Sequence, residues 1–88
     1  MTAPYRLEVR LAEPFHDDLV GGILIIHEPV ADLGALRALL CERVPRFHAQ
    51  RDEGYVFAVN GRLVLHDERR TPLQSGDEVE LMLALSGG

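Results

Sequence analysis

Asp32-Leu33-Gly34-Ala35-Leu36-Arg37-Ala38-Leu39-Leu40-Cys41-Glu42-Arg43-Val44-Pro45 is the one stretch of this 88-residue chain that reads as a long helix, and the other elements are placed by standing before or after it. Leu33, Leu36, Leu40, Val44 and, if the turn persists, Phe47 recur at helical spacing and predict one apolar stripe. Asp32 is suited to cap the first turn. Pro45 disfavours helical geometry at Val44, so the element ends or kinks there. Arg37, Glu42 and Arg43 are expected at its edges or on its outer side.

Upstream, Tyr5, Leu7, Val9 and Leu11 alternate with Arg6, Glu8 and Arg10, the pattern of a strand with one buried face. Residues 14–22 read as a loop or a single helical turn closed by glycine, with Phe15, Leu19 and Val20 plugging the open end of the core. Ile23 to Glu28 is a second strand, rich in β-branched residues and stopped by Pro29. Downstream, residues 46–54 are a polar connection. Tyr55 to Val59 is a third strand, and Asn60-Gly61 supplies the positive φ angles of a tight hairpin into Arg62-Leu63-Val64-Leu65.

His66 to Arg70 reads as a charged surface loop, Leu73 returns to the core, and Ser75-Gly76-Asp77 makes a turn. The last strand, Glu78 to Leu85, places Val79, Leu81 and Leu83 on one face and Glu78, Glu80, Met82 and Ala84 on the other. A strand that becomes apolar on both sides is central or covered by a partner.

The order ββαβββ predicts an α+β fold, a mixed sheet of four to five strands with one main helix on one face. The first and last strands lie parallel in its middle, the β-grasp arrangement. Residues 1–88 are read as one such domain with a flexible tail over residues 84–88.

Composition narrows the function. A chain this short buries roughly 60 to 65% of its unfolded surface, enough for one sheet and one or two helices. With 47% hydrophobic residues it is expected to fold, and with 26% charged residues and no apolar run of spanning length it is not expected to enter a membrane. The net charge of −5, with nine arginines interspersed among fourteen acids, argues against a nucleic-acid partner and for a basic groove on a partner protein. The N-terminal residues lack a basic start followed by an apolar core, and the single Cys41 forbids an internal disulfide, so a cytoplasmic location is expected. All nine basic residues are arginine; without lysine the chain offers no side-chain amine on which a copy of itself could be attached.

The sequence closes on Leu83-Ala84-Leu85-Ser86-Gly87-Gly88, an apolar run leading to two glycines. Glycine has no Cβ, so such a terminus fits a channel too narrow for other residues. Six extended residues reach roughly 20 Å at about 3.3 Å each.

With strand, hairpin and tail in place, the chain resembles the ubiquitin-like sulfur-carrier family of MoaD and ThiS, and is closer to MoaD. The matching residues are Val59-Asn60-Gly61 at the hairpin, Thr71-Pro72-Leu73, Gly76-Asp77-Glu78-Val79 opening the last strand, and Ser86-Gly87-Gly88. Asp18-Leu19-Val20-Gly21 and the helix entry Asp32-Leu33-Gly34-Ala35-Leu36-Arg37 are weaker matches. Many MoaD-type carriers have a proline pair shortly before the final glycines, where this chain has Leu83 and Ala84, and that departure leaves the receiving pathway open.

The resemblance implies that an ATP-dependent adenylyltransferase of the ubiquitin-activating type adenylates the Gly88 carboxylate, which is then converted to a thiocarboxylate. It implies delivery of the sulfur in molybdopterin (molybdenum cofactor) biosynthesis, with this chain as the small subunit beside a larger molybdopterin synthase subunit. Gly88 is the reacting group and Gly87 gives clearance. Leu85 and Ser86 are the expected threading segment. Read from the residues themselves, the exposed face carrying Met82 and Ala84, joined by Val56 or Ala58, is either a docking patch or ordinary sheet surface with a few apolar residues. The chain is expected to bind no cofactor of its own, the ATP being used by the activating enzyme, and to act as a protein cosubstrate.

Other constellations carry less. Cys41, near the edge of the apolar stripe, reads as a buried structural thiol rather than a reactive one. His16, His27, His48 and His66 show no metal-ligand spacing, and one cysteine cannot hold an iron–sulfur cluster. Alternatives are a ubiquitin-like modifier joined through Gly88 to lysines of target proteins, a carrier for thiamin, cysteine or tRNA thiolation, and an interaction domain whose tail is incidental.

Overall fold

A computed structural model of the chain describes residues 4–12, 15, 20–45, 47 and 54–83. Its elements are β1 (Leu7–Leu11), β2 (Ile23–Ile26), α1 (Leu33–Arg43), β3 (Tyr55–Val59), β4 (Arg62–Val64) and β5 (Glu78–Leu83). Short 3-10 turns at Val20–Gly22 and Glu68–Arg70 precede β2 and follow β4. The strands form one mixed sheet in the order β2-β1-β5-β3-β4. β1 and β5 run parallel at its centre, and every other neighbouring pair is antiparallel. This is the expected β-grasp arrangement.

Alternation decides which face of the sheet is buried. Leu7 and Val9 of β1, Phe57 of β3, and Val79 and Leu81 of β5 are each at most 1% exposed. They meet Leu33, Leu36 and Leu40 of α1, all at 0%. An eleven-residue helix is marginal alone in water, so this packing is what holds it. Asp32 caps it as expected, accepting from the Ala35 amide at 2.8 Å. Val44 is extended at φ −116°, the geometry that Pro45 imposes on it. Phe15, Phe47 and Tyr55 close one end of the core, with ring centroids 5.4 and 5.0 Å apart in edge contacts.

The β3–β4 hairpin turns through Asn60 at φ 51° and Gly61 at φ 84°, the left-handed pair that the Asn-Gly dipeptide predicts. The turn before β5 is fastened to the start of β1: the Gly76 amide donates to the Arg6 carbonyl at 2.7 Å, and the Arg6 amide to Ser75 Oγ at 2.9 Å. Leu73 is buried, as expected, and its amide donates to the Ala31 carbonyl while that of Leu33 donates to Thr71. The segment between β4 and β5 is therefore sewn to the start of α1.

Two expectations need correction, and Arg37 and Leu83 add detail to two others. Arg37, expected at an edge or on the outer side of α1, takes the edge turned toward β3, with its side chain 18% exposed. It lies four residues after Leu33, on the same side of the helix, and its long stem reaches between the sheet and the next loop. The loop at His66 to Arg70 is not wholly solvated, because Glu68 is drawn down onto Arg37. Leu83 shares a face with Val79 and Leu81 but is 50% exposed, because β5 runs past the buried cluster. Ala58, expected on an exposed patch, is only 5% exposed, its methyl lying between the longer side chains of its paired neighbours Glu80 and Leu63.

Candidate functional site

The helix covers one face of the sheet and leaves the other open. The register gives its composition: Ile23 and Ile25 on β2, Glu8 and Arg10 on β1, Glu78, Glu80 and Met82 on β5, Val56 and Ala58 on β3, and Leu63 on β4. Glu8 faces Glu78 and Arg10 faces Glu80 across the parallel central pair, so the middle of the face is charged. Glu8 is held between two arginines, Arg10 Nε at 3.4 Å and Arg6 Nη2 at 3.8 Å. Exposed pairs of this kind add little stability. Their effect is to keep the centre of the face wet.

Apolar residues flank the charged band. Met82 stands opposite Val56, both half-buried, at the end of β5 from which the C-terminal residues depart. Beside them Leu63 is 49% exposed, and Leu65, one residue past β4, is 58% exposed. Two exposed leucines next to a half-buried methionine and valine form a patch that a partner surface could cover.

Met82 thus lies where the alternation of β5 puts it. Ala84, Leu85, Ser86, Gly87 and Gly88 lie outside the described residues, as do Leu19, His16, His48 and the Asp17-Asp18 pair. Leu63 and Leu65 were not singled out from the sequence, although the signal was present. An Asn60-Gly61 turn pairs Val59 with Arg62 and so places Leu63 beside Ala58 on the open face.

Nothing in this arrangement resembles a catalytic constellation. His27 and His66 are exposed on separate elements. Among the described residues no group of three His, Cys, Asp or Glu side chains is placed to hold a metal ion. None of the described helices is long and apolar enough to cross a membrane. Cys41 is half-buried against the core cluster. What the described surface offers is an open sheet face whose apolar residues Val56 and Met82 stand at the end of β5.

Comparison with known proteins agrees with this geometry. The model of the ThiS family matches residues 18–88. The structure is similar to a chain in the solved protein–protein complex of subunits 1 and 2 of molybdopterin-converting factor from Helicobacter pylori 26695, with a TM-score of 0.64 and 29% identity. That likeness covers 94% of this chain and 99% of the other. No curated protein matches the sequence. The family match spans most of the chain and the structural likeness nearly all of it, and the chain therefore belongs to the ThiS family, among the ubiquitin-like sulfur carriers of the MoaD/ThiS type.

Proposed function

We propose that this chain carries sulfur as a thiocarboxylate on Gly88 and delivers it in molybdopterin synthesis as the small partner of a larger synthase subunit. The observation that carries the reading is the position of the Val56–Met82 pair. An apolar docking patch lies at the end of the strand from which residues 84–88 continue, so a partner bound there has the segment within reach. Five extended residues would span roughly 16 Å beyond Leu83 at about 3.3 Å each. The similar Helicobacter pylori chain was solved in complex with a second subunit, which supports a larger protein as the partner.

The chemistry follows from the end group. A carboxylate is a poor electrophile, because its anionic oxygens donate into the carbonyl carbon and a nucleophile would have to displace oxide. Adenylation by an ATP-dependent activating enzyme converts it to an acyl phosphate anhydride with release of pyrophosphate. Sulfide then attacks the carbonyl carbon, the bond to AMP breaks, and a thiocarboxylate remains. Its sulfur is nucleophilic and travels on a narrow tether into the acceptor enzyme. Gly87 and Gly88 keep that tether thin. Leu85 and Ser86 thread into the partner, while Met82 and Ala84 rest against its surface.

The test is direct. The purified chain, incubated with the activating enzyme, ATP and sulfide, is expected to gain the mass of one oxygen-to-sulfur exchange, localised to Gly88 by fragmentation. Covalent adducts on lysines of other proteins, with no such exchange, would replace this reading with that of a protein modifier.

A further inference from the structure

Arg37 brings a full charge into the apolar side of α1. Its Nε and Nη2 donate to Glu68 Oε1 and Oε2 at 2.8 and 2.7 Å, and Nη2 also donates to the Tyr55 carbonyl at 2.8 Å. The guanidinium lies over the Phe57 ring at 5.0 Å from its centroid and over Phe47 at 5.9 Å. Nη1 is buried and has no hydrogen-bond partner. Burying an ion pair carries a desolvation cost that apolar side chains of similar size avoid, and a buried N–H left without an acceptor adds to it. Stability alone therefore does not account for a charge at this position.

The bond to Tyr55 suggests what does. β4 ends at Val64, which faces Phe57, so the first two residues of β3 extend beyond the strand that flanks the rest of it. Those two residues, Tyr55 and Val56, are the partners of Leu83 and Met82, the last two described residues of β5. The guanidinium reaches β3 from α1 at that unflanked stretch. Glu68, from the loop that follows β4, holds the guanidinium in place.

We infer that Arg37 is a positioning residue: it braces the start of β3, and through the Tyr55–Leu83 and Val56–Met82 pairs it fixes where the C-terminal segment leaves the sheet. This role rests on the carrier reading above. Without the brace the two terminal pairs open more often, and Met82 and Leu83 no longer hold a fixed position ahead of residues 84–88. A less directed tether enters a partner's channel productively less often. Once it is engaged, the chemistry in the partner is unchanged.

The experiment compares the wild-type chain with Arg37→Met and Arg37→Lys in three measurements: thermal unfolding, amide exchange, and ATP–pyrophosphate exchange catalysed by the activating enzyme at varied carrier concentration. Arg37→Met is expected to keep or raise the melting temperature while the Val56 and Met82 amides exchange faster than those of β1. Its KM should rise roughly three- to tenfold with kcat unchanged. Arg37→Lys, which retains one donor for the Tyr55 carbonyl, should recover part of that loss. An Arg37→Met protein that folds and shows the wild-type KM, or loses kcat alone, overturns the inference. If Arg37→Met does not fold, Glu68→Gln, which loosens the guanidinium without removing it, is judged by the same readouts. A wild-type chain that supports no pyrophosphate exchange would instead sink the carrier reading itself.

Discussion

Asn60 and Glu78 are joined twice: the Asn60 amide donates to the Glu78 carbonyl at 2.7 Å, and the Glu78 amide donates to Asn60 Oδ1 at 2.9 Å. The same side chain reaches Asp77 Oδ1 through Nδ2 at 3.1 Å. One hairpin residue thereby fixes both its own turn and the start of β5. Asn60→Gly keeps the positive φ of 51° at no steric cost but loses the side-chain bonds, and it should destabilise the fold by about 1 kcal/mol. Asn60→Ala loses the bonds and strains the turn as well, so about 2 kcal/mol is expected. Urea unfolding of the two variants checks the order. Equal losses would mean that backbone strain contributes nothing at this turn.

Gly34 tests the contact between α1 and the loop that ends at Thr71. A Cβ built at Gly34 would lie 2.6 Å from Arg69 Cγ and 3.2 Å from the capping oxygen of Asp32. Alanine is favoured over glycine within helices by up to about 1 kcal/mol, so an open site would gain from the change. Here the stem of Arg69 must move, and Gly34→Ala is expected to lower the melting temperature. Gly34→Ala combined with Arg69→Ala should recover most of the loss. A thermal scan showing Gly34→Ala at or above wild type would mean that the loop yields freely.

The helix, the hairpin and the strands β1 and β5 were legible because their signals are local: a spacing of three and four, an Asn-Gly dipeptide, alternation along each strand; the parallel pairing of β1 with β5 came from the order of the elements. The misreadings have a common origin in contacts between distant residues. Arg37 was expected at an edge or on the outer side, and its turn toward β3 was missed, although it falls at the same helical spacing as its apolar neighbours. Its acceptor Glu68 lies 31 residues away, and no local pattern reports that. Leu83 continues the buried alternation of β5 but outruns the core that would cover it, since strand length and core length are set separately. Ala58 is covered because its neighbours are long, a fact that resides in the strands beside it. The composition of the open face was half legible: Met82 follows from alternation along one strand, whereas Leu63 requires the register between two.

Gly87 is a steric test of the tail. Under the carrier reading the terminal residues enter a narrow channel in the partner, and replacing Gly87 by a bulky residue such as phenylalanine should abolish thiocarboxylate formation. Deletion of Gly88 should do the same by removing the reacting group. The carrier reading assigns these residues to delivery and not to folding, so circular dichroism and the melting temperature should match wild type. Intact-mass analysis after incubation with the activating enzyme, ATP and sulfide reads the outcome. An undiminished sulfur gain in the Gly87 variant would refute the narrow-channel account, and one in the Gly88 deletion would move the reacting carboxylate elsewhere.

Met82 and Leu63 separate docking from delivery. Both lie on the open face, Met82 half-buried against Val56 and Leu63 49% exposed, and neither belongs to the core cluster. An aspartate at either position adds a charge to the apolar flank without emptying the core. If a partner covers that flank, the charge must be desolvated on binding, and affinity should fall by at least about tenfold, or about 1.4 kcal/mol. Met82→Asp and Leu63→Asp should therefore weaken binding to the larger synthase subunit in calorimetric titration while leaving the melting temperature nearly unchanged. At saturating partner, sulfur transfer should recover, because the tail itself is intact. Loss of transfer at unchanged affinity would place Met82 with the threading segment, and wild-type behaviour in both variants would remove this face from the interface.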